Sequence, residues 1–235
     1  MTWSILARDP VTGALGAAVA TRFFAVGALC LHLEGRVAAL ATQALINPLY
    51  GAQGLARLRA GEVPDAVAAA LLAADAGEDH RQLHMIDAAG RIAQHTGAAC
   101  VPWCGAVHGP DVSVAGNMLA GPAVVEATLA AYLQATGPMA ERLLTALEAG
   151  ESAGGDRRGK QSAALKICTE DLYPDLDIRA DDHPDPLAEL RRLYRVSQER
   201  FAVFRRFLPG AASPCGVFDR TVINAAIERE GRPPS

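Results

Sequence analysis

Aromatic residues are scarce in this chain, 5% of its 235 residues, and so is any concentration of charge. The 22 Lys and Arg residues stand against 26 Asp and Glu, for a formal net charge of −4, and the basic residues are scattered rather than gathered into a stripe. That distribution lacks the electrostatic footprint of a nucleic-acid-binding surface, so no nucleic-acid partner is expected. No apolar run reaches the roughly 18 residues that a membrane-crossing helix needs, so no membrane partner is expected either. The N-terminus has no basic leader followed by an apolar stretch and a small-residue cleavage site, which points to a cytoplasmic protein. The five cysteines, Cys30, Cys100, Cys104, Cys168 and Cys215, are odd in number and dispersed. They make no disulfide framework and read as free thiols of a reducing compartment.

What is abundant is small and apolar. Half of the residues are hydrophobic and 22 are glycine, which suits a core of closely approaching layers with small side chains between them. The length fits one large domain with a terminal extension: residues 1–208 as the domain, 209–235 as a loosely attached tail.

Local patterns supply the elements. "WSILAR" has strand character, "DPVTG" supplies turn chemistry, and "ALGAAVATR" is the second arm of a hairpin. "GRVAALATQAL" reads as a buried strand, and two helices follow in "NPLYGAQGLARLRAG" and "VPDAVAAALLAAD", each opening near a proline. "RQLHMIDAAGRIAQHTG" is a second hairpin about Asp87 to Gly90. "DVSVAGNML" is another strand, "GPAVVEATLAAYLQATG" and "PMAERLLTALEAGE" a further helix pair, and "KQSAALKIC" and "DLDIRAD" complete the strands. "HPDPLAELRRLYRVSQERFAVFRRFL" reads as one long helix. Clustered strands and clustered helices imply an α+β fold with antiparallel sheets.

Several segments carry chemistry-bearing residues. His95, Cys100, Cys104 and His108 half fit a zinc-ligand spacing, but Pro102, Trp103 and Gly105 make the segment a packed loop. No metal is expected there, and a Cys- or metal-dependent hydrolase centred on it is the lesser reading. The glycine-rich stretches "GPDVSVAGNMLAGP" and "GGDRRGKQS" lack nucleotide-binding spacing. In the second, Asp156, Arg157, Arg158, Lys160, Gln161 and Ser162 crowd before an apolar strand, either as a solvated turn or as a loop lending polar groups to the sheet end. Arg22 must find water, a carboxylate or a substrate anion. Gln43, Asn47 and Tyr50 either satisfy buried backbone groups or mark a pocket edge. Asp181, Asp182, His183 and Asp185 precede a proline-initiated helix and read as capping residues.

Taken in order, "TWSILARD", "ATRFFAVG", "ATQALINPLYG", "TGAACVPWCG", "VAGNMLAG", "GGDRRGKQSAAL" and "DDHPDPLAELRRL" resemble a bacterial and archaeal domain-of-unknown-function family, number 1028. That family is placed in the N-terminal-nucleophile (Ntn) hydrolase superfamily, and the resemblance runs from Thr2 to about Leu208. It implies a four-layer αββα sandwich of two antiparallel sheets flanked by helices. It also implies a reaction, because the first mature residue of such enzymes attacks an amide carbonyl. With Met1 removed, Thr2 would carry a hydroxyl and a free α-amine, whose reference pKa of roughly 7.7–8.0 suits general-base work. Asn117, with backbone amides near Gly97 or Gly116, would stabilise the oxyanion. Where proteasomal members place an Asp and a Lys, this chain reads "GAAVA" and "LHLEG", so Arg22 or Lys160 would supply the positive charge. Ser4, on the same strand face as Thr2, would be a supporting hydroxyl.

The expected function is therefore an N-terminal-threonine amidohydrolase that cleaves a small amide or acylated amino compound through an acyl-enzyme, with no cofactor. Its catalytic residues are Thr2, Arg22, Asn117 and Lys160. Its substrate-binding residues are Ser4, Gln43, Asn47, Tyr50, His95, Asp156, Gln161 and Ser162. The alternative is a noncatalytic binding or assembly subunit on the same fold, and a homo-oligomer is the expected assembly.

Overall fold

The computed structural model describes residues 2–231. The opening hairpin forms as its turn chemistry requires. Strand β1 (Thr2–Arg8) pairs antiparallel with β2 (Leu15–Thr21). Between them the Asp9 carboxylate accepts from the amides of Val11 and Thr12, and Gly13 takes a φ of 74°. That left-handed conformation is the one glycine adopts without a Cβ penalty.

The described strands make two antiparallel sheets. One contains six strands in the order β10 (Leu176–Ala180), β9 (Ser162–Cys168), β2, β1, β8 (Val112–Asn117) and β7 (Gly105–Gly109). The other contains β3 (Leu31–Glu34), β4 (Ala38–Ala44), β5 (Arg81–Asp87) and β6 (Ile92–Thr96), in that order. Among the described residues seven α-helices accompany them: α1 (Leu49–Arg59), α2 (Pro64–Ala73), α3 (Ala123–Gln134), α4 (Met139–Ser152), α5 (Pro186–Glu199), α6 (Phe201–Phe204) and α7 (Arg220–Glu230). The fold class is α+β, as the element pattern implies.

Strand alternation divides the core. Trp3, Ile5 and Ala7 of β1 pack with Val124 of α3 and with Leu143 and Leu147 of α4. Leu6, from the opposite face of β1, packs with Leu15 and Val19 of β2, Ala39 of β4 and Ile86 of β5, between the two sheets. Leu40, Leu83 and Met85 face the other way from the smaller sheet and meet Leu58, Val67 and Leu71 of α1 and α2. Each fully buried large apolar side chain contributes about 1.5–3 kcal/mol.

Helix entries follow local chemistry. Pro64 and Pro186 occupy first-turn positions, where their missing N–H is harmless. Asp185 caps α5 by accepting from the Ala188 amide at 3.3 Å, the role its position predicts. Three features depart from the sequence reading. Strands β3 and β7 are additional, and the expected long helix ends at Arg200, whose φ of −134° leaves the helical region. No Pro or Gly marks that break. Beyond it, Val203 of α6 buries against Ile223, Ala226 and Ile227 of α7. No helix among the described residues is long and apolar enough to cross a membrane.

Gly150 sets the approach of α4 to the larger sheet. A Cβ there would lie 2.3 Å from Thr128 Oγ1 and 2.7 Å from the Trp3 indole nitrogen. Overpacking of this kind costs about 1–3 kcal/mol, against about 1 kcal/mol gained in helix propensity. Gly150→Ala is therefore expected to lower the urea midpoint at unchanged slope, and an unchanged or raised midpoint would contradict this packing.

Candidate functional site

Toward one end of the paired sheets, the face between them changes from apolar to polar. Thr2 and Ser4 of β1, Ser113 and Asn117 of β8, Gln43 of β4, and Gln82 and His84 of β5 are all buried there. Buried polar groups must find partners, and these find one another.

The bonding has a direction that chemistry fixes. Gln82 Nε2 lies 3.2 Å from the Gly105 carbonyl and 2.9 Å from the Gly116 carbonyl, and carbonyls only accept. Gln82 Oε1 must then receive from Gln43 Nε2 at 2.8 Å and from Asn117 Nδ2 at 3.0 Å. This turns Gln43 Oε1 toward Ser4, whose hydroxyl donates to it at 2.7 Å. With that proton committed, His84 Nε2–H donates to Ser4 Oγ at 2.8 Å, and His84 Nδ1 accepts from Ser113 Oγ at 2.8 Å. Ser113 Oγ in turn accepts from Gln94 Nε2 at 2.9 Å, and Gln94 is itself oriented by the Val107 carbonyl. Backbone carbonyls thus anchor both ends of the chain of bonds.

Ser4 and His84 have the spacing of a nucleophile and its base, but not the proton arrangement. The Nε2 that meets Ser4 carries a proton and has no lone pair to take another. Both residues are fully buried, and burial pushes the His84 pKa down to about 3, which keeps the ring neutral. The pair is a structural link between the sheets.

Thr2 lies beside this network and opens onto a cavity of about 400 Å³. It is 7% exposed, pairs across the ladder with Asn117, and donates its hydroxyl to Thr21 Oγ1 at 3.2 Å. The floor also includes Cys30, Thr42, Gln43 and Asn117, whereas Ala25, Val26, Ile46 and Met118 supply apolar lining. Burial raises the Cys30 thiol pKa to about 12, so it is no thiolate nucleophile at neutral pH. Ala25, Ala44 and Met118 all line the cavity with φ of 51°, 70° and 54°, a conformation non-glycine residues hold at a cost of about 1–3 kcal/mol each.

Of the residues assigned to the site from the sequence, Thr2, Gln43 and Asn117 line this cavity, and Cys30, Cys100 and Arg158, named there without a site role, line it too. The others have different surroundings. The Arg22 guanidinium meets the Arg158 carbonyl, and its backbone amide donates to buried Asp156 at 2.9 Å. Asp156 also accepts from the Arg158 amide at 2.8 Å and its guanidinium at 3.2 Å, organising the charged loop. Lys160 pairs with Asp185 at 3.1 Å and Glu151 at 3.6 Å. Gln161 reaches Asp182, and Ser162 binds the backbone of Phe23 and Val26, bracing the cavity wall. Asn47 and Tyr50 converge with Arg81 on Asp75, and the Arg81 guanidinium foremost holds that carboxyl well below the usual range. His95 bonds the Glu78 carbonyl, Cys100 the Arg81 carbonyl and Cys104 the Cys100 carbonyl. Gly97 donates its amide to the Arg81 carbonyl. Among the described residues no group of three or more His, Cys, Asp or Glu side chains is arranged to hold a metal ion, and all five cysteines are free thiols.

Sequence reasoning missed Gln82 and His84, and named Arg158 only as part of the charged loop. The first two stand at alternate positions of "RQLHMID", which period-two alternation places on one face. Arg158, inside the charged loop, lines the cavity.

Two antiparallel sheets, with a small-molecule-sized cavity opening beside the end of a central strand, define the class of protein. Residues 2–190 match the family described as "Family of unknown function (DUF1028)", and the chain belongs to that family. The crystal structure of protein SPO2555 from Silicibacter pomeroyi, of the same family, is 32% identical over 93% of this chain and 99% of that one, with a TM-score of 0.87. Anbu (ancestral beta-subunit) from Yersinia bercovieri superposes with a TM-score of 0.38 at 14% identity, over 88% of this chain and 98% of that one. No curated protein matches the chain.

The His84 geometry has a pH consequence. Its folded pKa lies below the unfolded value of about 6.5, so the unfolded chain takes up a proton that the folded chain refuses. This contribution to stability is full above about pH 6.5 and is lost as pH falls toward 3, with a slope of at most about 1.4 kcal/mol per pH unit. Nitrogen NMR should find His84 as the neutral Nε2–H tautomer, untitrated at pH 5. An imidazolium at that pH would contradict the assignment.

Proposed function

We propose that the chain is an N-terminal-threonine amidohydrolase, built on the four-layer αββα sandwich of the Ntn hydrolases and acting on a small amide through an acyl-enzyme. In this reading α1 and α2 cover the smaller sheet and α3, α4 and α5 the larger. The observation that carries the reading is the placement of Thr2: in the central strand β1, mostly buried, with its hydroxyl oriented by Thr21 beside a cavity that Asn117 also lines.

Met1 lies outside the described residues, and its removal is part of the proposal. The freed amine takes the Oγ1 proton, Oγ1 attacks the amide carbonyl carbon, and the carbonyl π electrons move to oxygen. Asn117 commits one N–H to Gln82 and has a second for that oxyanion. One such donor is worth about 2.7–4 kcal/mol in the transition state. Collapse expels the amine, which leaves with the proton held by the Thr2 ammonium. Water, activated by the same α-amine, then hydrolyses the ester. Gln43 is a floor residue whose amide is held by Ser4 and Gln82, so it shapes the site more than it contacts the reacting atoms.

A noncatalytic binding subunit is the second reading, favoured by one observation. Lys160 is committed to Glu151 and Asp185, and Arg22 to the charged loop, so among the described residues the Arg or Lys that lines the cavity is Arg158 instead.

The two readings part on one experiment. Protein from its native host, treated with an amide-mimicking electrophile such as a β-lactone, is expected to lack Met1 and carry the adduct on Thr2. Thr2→Ala, with unchanged circular dichroism, is expected to lose labelling and more than about a thousandfold in hydrolysis. Retained Met1 with no adduct would establish the binding subunit.

A further inference from the structure

We propose that the cavity selects an amide with an apolar body and an anionic end, an N-acylated amino acid in its simplest form, and that Arg158 reads the anion. This inference rests on the amidohydrolase reading and adds the substrate class.

Burial orders the cavity by depth. Its floor is polar, with Thr42, Gln43 and Asn117 at 1–2% exposure. Its mouth is apolar: Phe23 and Leu45 are 60% and 61% exposed, and Leu29 and Val101 are 45%. Exposed large side chains of this kind are unremarkable singly, but four around one opening make an apolar patch. A ligand matching this gradient places one small polar function at the floor and hydrocarbon along the wall and mouth. The floor has limited polar capacity, because Gln43 is already bound on both sides by Ser4 and Gln82. One amide group suits it, and a polyhydroxylated or many-amide substrate does not. The volume, about 400 Å³, lies in the range of small-molecule sites.

Charge completes the description. Among the described residues no Asp or Glu lines the cavity, whereas Arg158 and His80 do, both in exposed positions. Arg158 is placed by its neighbours: Asp156 holds its backbone amide and its guanidinium, and is itself buried behind the loop. A guanidinium has five N–H donors in a planar fork, so a carboxylate entering from the cavity joins Asp156 around one cation. The reaction is ordinary hydrolysis: amide and water give a carboxylic acid and an amine, with no other reactant.

Calorimetry on Thr2→Ala reads binding without turnover, with three probes: N-octanoylglycine, its neutral analogue N-octanoylglycinamide, and N-acetylglycine. N-octanoylglycine is expected to bind about tenfold more tightly than the glycinamide. It should also bind about a hundredfold or more tightly than N-acetylglycine, which lacks six methylenes. Arg158→Gln should bring the two octanoyl compounds within about twofold, while Arg158→Lys, which keeps the charge, retains part of the preference. Equal binding of charged and neutral probes, equal binding of long and short tails, or no binding at millimolar concentration would each overturn the proposal. The underlying reading fails separately: wild-type protein that shows both preferences but neither hydrolyses N-octanoylglycine nor labels at Thr2 is a binding protein. Thr2 labelling without either preference leaves the enzyme standing and removes this substrate class.

Discussion

The side-chain amide of Gln82 is the constraint on which the rest of the site depends. It is fully buried between two sheets, where an unpaired amide would cost several kcal/mol, and two backbone carbonyls dictate which way it points. Everything downstream inherits that orientation: the Asn117 and Gln43 amides, the Ser4 hydroxyl, and the tautomer of His84. Apolar contact between Leu6, Val19, Ala39 and Ile86 holds the sheets together without fixing how they slide. Hydrogen bonds with one permitted direction do fix it, and so hold Thr2 of one sheet in register with Gln43 of the other.

A second organiser works from the charged loop and the start of β9. Asp156 gathers the backbone of Arg22 and Arg158 around one buried carboxylate, while Ser162 ties down Phe23 and Val26. Both act on the segment after β2, where Ala25 holds a left-handed backbone. The positive φ of Ala44 and Met118 occurs likewise where strands β4 and β8 end at the cavity. The chain bends sharply at three strand-associated positions around one opening, and the packed core offsets the conformational cost.

Much of the fold was legible because it is periodic. The two hairpins, the helix pairs and the antiparallel α+β class follow from alternation, turn residues and prolines at helix entries. What was missed lacks such signals: β3 is four residues of "LHLE", β7 is "GAVHG" with glycine at both ends, and the break at Arg200 has no Pro or Gly to mark it. The candidate site was legible in its strand residues, Thr2, Gln43 and Asn117, which stand at or near strand ends. The loop residues were harder. Asp156, Arg158, Lys160, Gln161 and Ser162 lie within seven positions, yet Asp156 turns inward, Arg158 lines the cavity and Lys160 pairs with α4 and α5. Local composition marked that loop as important, but only tertiary contacts decide which of its charges meets the cavity.

The same contacts explain a division of labour within the polar floor. Ser4, Gln43 and Gln82 give their hydrogen-bonding capacity to one another and to the backbone, so they provide rigidity rather than chemistry. Thr2, Thr42 and Asn117 have fewer side-chain bonds to the protein and line the cavity. A floor in which every polar group were fully paired would be inert, and one in which none were paired would collapse or fill with water. Here Gln43 lines the cavity beside Thr2, Thr42 and Asn117, and is bonded in turn to Ser4 and Gln82, which do not line it. In the proposed amidohydrolase reading such an arrangement serves the weakly nucleophilic threonine hydroxyl, whose attack would depend on being held, in a fixed direction, against a carbonyl that the remaining donors receive.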